Sequence, residues 1–197
     1  MSAGLSLVVF SVAVLLYGIS SVVYYLEIAR PRADETTRNR AAALLLAVGA
    51  TAHLGFVVNA SFVAHVCPVH SIHFALSMAS LLATGAYLMA RRRFRVHALG
   101  LVVAPVGLLL TLGTFFLGSP PGARKLPASF IGLHVLSNLI GDALFLLASG
   151  AAVMYLMQEK RLKNKKTALL VKKKGGLPAL DSLDKALHRF LLAGFPL

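Results

Sequence analysis

Five apolar runs, separated by short connections that alternate between basic and nearly neutral, constrain this chain more than any other feature. Roughly 20 helical residues cross the hydrocarbon core of a bilayer. Lipid offers the backbone no hydrogen-bond partner, so runs of that length fold as helices. The spans read as 5–26, 41–66, 72–90, 96–117 and 129–157. The expected fold is therefore all-α, a polytopic transmembrane helical bundle of five spans plus the start of a sixth. Composition agrees: 57% of the 197 residues are hydrophobic and only 14% charged, against about 45–50% and about 25% in soluble domains.

A net charge of +13 suggests nucleic acid at first sight, but its distribution points to membrane lipid instead. Arg30, Arg32, Arg38 and Arg40 lie between the first two spans, "RRRFR" between the third and fourth, and "EKRLKNKK" and "VKKKGG" after the fifth. The remaining connections are poor in positive charge: "CPVHS" has none and "GSPPGARKLP" only Arg124 and Lys125. Positive segments face the cytoplasm, which places the N-terminus outside and the basic tail inside a bacterial inner (plasma) membrane. No nucleic-acid-binding module is visible, so nucleic acid is not an expected partner. Residues 5–26 lack a basic leader and exceed a signal core, and read as a retained first helix. The single cysteine, Cys67, excludes an intramolecular disulfide framework.

Residues 1–157 thus form a five-helix transmembrane domain, followed by a basic cytoplasmic linker over 158–176. In the segment 177–197, Leu180, Leu183, Leu187 and Phe190 fall on one helical face, with Asp181 and Asp184 in the first turn. An interfacial helix fits that pattern. The apolar character rising toward "GFPL" fits the start of a sixth span better, and implies a chain that continues past Leu197.

Polar residues inside spans are costly, and so point to function. His134, Asn138 and Asp142 are spaced four apart and form one stripe on the fifth span. Either they hold helices together, or they line a cavity in which His134 ligates a cofactor. His53 lies near the middle of the second span, between "AVGATA" and "LGFVV". It can donate a hydrogen bond to a neighbouring helix, or ligate a metal or cofactor through a neutral imidazole. "AHVCPVHSIH" gathers His65, Cys67, His70 and His73 around a short outer connection, but its spacing matches no defined zinc or copper site. No P-loop, nucleophile elbow or zinc-protease motif is present, which gives little support to an enzyme.

"LPASFIGLHVLSNLIGDALFLLASGAAVMYLMQEKRLKNKK" resembles a segment of the cytochrome c assembly protein family (CcsA, CcmC and HemX types), in which an outer-face histidine opens a long helix. "TAHLGFVVNASFVAHVCPVHSIHFALSMAS" is similar to that family's second and third helices, and the resemblance covers roughly residues 41–197. It implies a haem-handling bundle. His53 matches the intramembrane ligand position and His134 the first outer-face ligand, so both would hold the iron of haem b. His65 matches only loosely, and Asn138 and Asp142 match no family position.

The implied function is presentation of haem to apocytochrome c alongside other cytochrome c maturation proteins. The family's tryptophan-rich haem-presenting motif lies past the position matching Leu197, and these 197 residues hold no tryptophan, so either truncation has removed the motif or the chain belongs to the HemX-like branch. The HemX-like branch, in which that motif is weak or missing, implies control of glutamyl-tRNA reductase level and hence of haem synthesis. A third reading is a proton-coupled small-solute transporter built on His134 and Asp142, but paired broken helices and an inverted repeat are not visible.

Overall fold

Apolar spans leave their backbones one solution, and the computed structural model shows it. The structure describes residues 3–29, 35–62, 72–94, 96–116, 128–163 and 178–197. They form α1 (Ala3–Ala29), α2 (Glu35–Phe62), α3 (Ile72–Phe94), α4 (Gly100–Phe116), α5 (Ala128–Lys163) and α6 (Leu180–Gly194). A 3₁₀ turn, His97–Leu99, leads into α4. Five helices are long and apolar enough to cross a membrane: Gly4–Ala29, Asn39–Phe62, Phe74–Phe94, His97–Thr114 and Gly132–Lys160. The chain is a multi-pass membrane protein.

Helix α3 is central. It packs against α2, α4 and α5 and touches α6, while α1 closes the other side against α2 and α4. Helix α6 runs antiparallel along α5. Gln158 of α5 donates to the Pro178 carbonyl just before α6 begins, at 3.3 Å. At the far end, Gly194 approaches α5 so closely that a Cβ on it would lie 3.2 Å from Leu144 Cβ and 3.4 Å from the Gly141 carbonyl. Leu183, Ala186 and Phe190 are buried in the common core, and the Phe190 ring stacks edge-on against Phe94 of α3, centroids 5.8 Å apart. The other rim of α6 is open, with Leu192 and Phe195 exposed.

Four helices run past the span boundaries read from the sequence, α1 at both ends, α2 at its start, and α3 and α5 into charged sequence at their C-terminal ends. "RRRFR" reads as a connection, yet Arg91, Arg92 and Arg93 form the last turn of α3. Arginine is a good helix former whose long stem reaches the membrane surface. Arg91 uses that reach to donate to Asn39 Oδ1 of α2 at 3.2 Å. Helix α5 likewise continues to Lys163, which pairs with Glu159 one turn back at 2.7 Å. Helix α4 continues through Pro105.

Candidate functional site

His53 lies at mid-span on α2, fully buried. Its Nε2 lies 2.6 Å from Ser77 Oγ on α3, and its Nδ1 lies 3.5 Å from Thr111 Oγ1 on α4, at the outer limit of a hydrogen bond. Thr111 donates its own proton to the Gly107 carbonyl at 2.7 Å. Its oxygen is then left to accept from Nδ1–H, which assigns Ser77 as the donor to Nε2. Ser80 also donates to the Gly107 carbonyl at 2.9 Å and lies 3.0 Å from Thr111 Oγ1. The Tyr17 ring of α1 stands edge-on to the imidazole at 6.0 Å, and its hydroxyl donates to Thr84 at 3.3 Å. One imidazole and five hydroxyl side chains thereby tie α1, α2, α3 and α4 together in the interior.

Glycine makes the approach possible. A Cβ at Gly107 would lie 2.9 Å from Tyr17 Cε1 and 3.4 Å from Ser80 Oγ, so only a bare backbone lets ring and hydroxyl meet there. Toward the basic end of the bundle a second polar knot repeats the device. Tyr87 OH lies 3.0 Å from Tyr24 OH and donates to the His97 carbonyl at 2.8 Å. A Cβ at Gly100 would clash with the hydroxyl-bearing edge of the Tyr24 ring, at Cζ, Cε1 and Cε2.

The sequence passes over the partners of His53. A signal exists on α3: Ser77, Ser80, Thr84, Tyr87 and Arg91 recur at alternating spacings of three and four, the pattern of a single helix face. Ser and Thr hydroxyls are unremarkable in apolar helices, where they often bond the preceding turn. What distinguishes these is a partner on another helix.

His134, Asn138 and Asp142 lie together on α5, but on its exposed face. Asn138 Nδ2 and His134 Nε2 are 3.1 Å apart. Asp142 has no hydrogen bond or ion pair with any described residue. Helices α2 and α5 share no packed interface. His65, Cys67, His70, Arg124 and Lys125 lie outside the described residues, and His73 stands at the start of α3. Among the described residues no three His, Cys, Asp or Glu side chains gather as a metal site.

A haem iron needs a ring nitrogen with nothing between it and the metal. At His53 both nitrogens meet hydroxyls, the residue is enclosed, and Tyr17 packs against the ring. The arrangement does not fit an axial ligand at His53. His134 is accessible, on the exposed face of α5.

Comparison with known proteins adds a distant likeness. The chain is 24% identical over 192 residues to Protein HemX of Brevibacillus brevis. The matched region is 96% of this chain and 68% of that relative. No family model and no solved structure matches the chain.

Proposed function

We propose that this chain is a HemX-like membrane protein that regulates haem synthesis by controlling the level of glutamyl-tRNA reductase through a protein partner. The likeness to HemX runs along nearly the whole chain. The observation that carries the choice over haem ligation is the closed surround of His53, whose two ring nitrogens are taken up by Ser77 and Thr111. An interior bonded in this way serves as a scaffold, and the regulatory contact belongs on the surface. By the positive-inside rule, Arg92, Arg93 and Lys160 lie at the cytoplasmic side, and all three are exposed. They supply a basic surface for a soluble partner.

The test is the amount of reductase protein in cells lacking the chain, then in cells given back either the wild type or a variant with Arg92, Arg93 and Lys160 all changed to Gln. The reading expects an altered level, restored by the wild type and not by the variant. Deleting 158–197 is a poorer test, because α6 contributes Leu183 and Phe190 to the core. An unchanged reductase level would sink the proposal. If the protein purified from haem-replete cells also showed a Soret band reduced by His134→Ala, the cytochrome c maturation reading would replace it.

A further inference from the structure

Asp142 is exposed on α5 although it lies about 15 Å along the helix from the end of the span at Gly132. A carboxyl group facing hydrocarbon at that depth costs several kcal/mol, so such residues normally face protein or a polar cavity. Its neighbours on the same face are exposed too. His134, Asn138, Asp142, Phe145, Ser149 and Val153 form one continuous outward seam. The spacings are 4, 4, 3, 4 and 4. At 3.6 residues per turn the six positions fall within about 100° of the helix circumference, a single face.

We propose that this seam is the contact between two copies of the chain, with α5 pairing against α5 about a twofold axis along the membrane normal. Two copies inserted with the same topology carry parallel α5 helices, so equal depths meet and the contact is isologous. The seam's hydrogen-bonding groups complement themselves in that arrangement. Asn138 Nδ2 engages His134 Nε2 within each copy, which places the proton of His134 on Nδ1, pointing away from that bond. His134 then offers a donor, Asn138 both an acceptor and a second amide proton, and Asp142 an acceptor. Across a parallel pair, residues one turn apart are neighbours. His134 Nδ1–H donates to Asn138 Oδ1 of the second copy, and Asn138 Nδ2–H donates to the second copy's Asp142. Each polar residue of the stripe gains a partner, and hydrocarbon is kept from the carboxyl group.

Cysteine cross-linking in native membranes tests the contact, using the full chain with Cys67→Ser as background. Asn138→Cys, Phe145→Cys and Ser149→Cys should each give a disulfide-linked dimer on mild oxidation, while Val58→Cys on the exposed face of α2 should not. Separately, Asn138→Leu with Asp142→Leu should weaken energy transfer between fluorescently labelled copies in vesicles. The expected loss is roughly tenfold in dimer affinity, the size of a few interhelical hydrogen bonds in lipid. The double variant makes the seam more apolar, so a lipid-facing seam would leave a folded protein with unchanged energy transfer. That result, absence of the seam cross-links, or cross-linking of the seam to a different protein would each overturn the proposal.

Discussion

His53 and Ser77 meet at 2.6 Å across the α2–α3 contact, in a part of the bundle closed to solvent and lipid. Through Thr111 the same imidazole reaches α4, and Tyr17 brings in α1. A single histidine therefore stands where four helices converge.

Replacing it should cost more than one hydrogen bond. His53→Ala leaves the Ser77 hydroxyl without its acceptor and opens a cavity among packed side chains. We expect a loss of about 2–4 kcal/mol. Thermal unfolding in detergent, compared with Ser77→Ala, measures it. A change below the Ser77→Ala value would contradict the convergence described here.

Gly100→Ala should be among the most damaging small substitutions in the chain. The new methyl group overlaps the buried Tyr24 ring, and overpacking of this kind costs typically 1–3 kcal/mol. Gly55→Ala provides the control: a Cβ there meets nothing within 4 Å, so the change should be neutral or slightly stabilising. The same unfolding assay reads both.

Tyr87→Phe keeps the ring and removes one hydroxyl that bridges Tyr24 and the His97 carbonyl. The expected cost is about 1–2 kcal/mol, since the carbonyl and the Tyr24 hydroxyl both lose a partner. Increased hydrogen exchange at the turn His97–Leu99 would locate the loss.

Phe190→Ala should release α6 while leaving the other helices assembled. The ring is buried between Phe94 and the core, and Arg189 lies 5.3 Å above the same Phe94 ring. Hydrogen exchange should accelerate across Leu180–Gly194 well before it does across α3. Uniform acceleration throughout the bundle would show that α6 is not a separable layer.

Lys163→Ala should leave stability nearly unchanged. Its partner Glu159 holds the Lys163 ammonium above its usual pKa through a hydrogen bond and charge attraction, but the lysine is fully exposed. Water and salt screen such a pair. Unfolding at low and high salt checks this, and a large salt-dependent loss would be inconsistent with it.

The spans, their number and the helical class were legible because the cost of an unpaired backbone in lipid acts on composition and length alone. The same reasoning finds that His53, His134, Asn138 and Asp142 are costly where they stand, without saying what compensates each one. Two costly histidines look alike in sequence. Tertiary structure separates them: His53 is enclosed by hydroxyls from other helices, while His134 stands on an exposed face beside Asn138. That difference depends on which helices adjoin, on Gly107 admitting Tyr17, and on α6 folding back along α5. Hydropathy fixes what must lie in the membrane, but contacts between helices arise from side-chain shape and hydrogen-bond geometry, which periodicity along one helix does not contain.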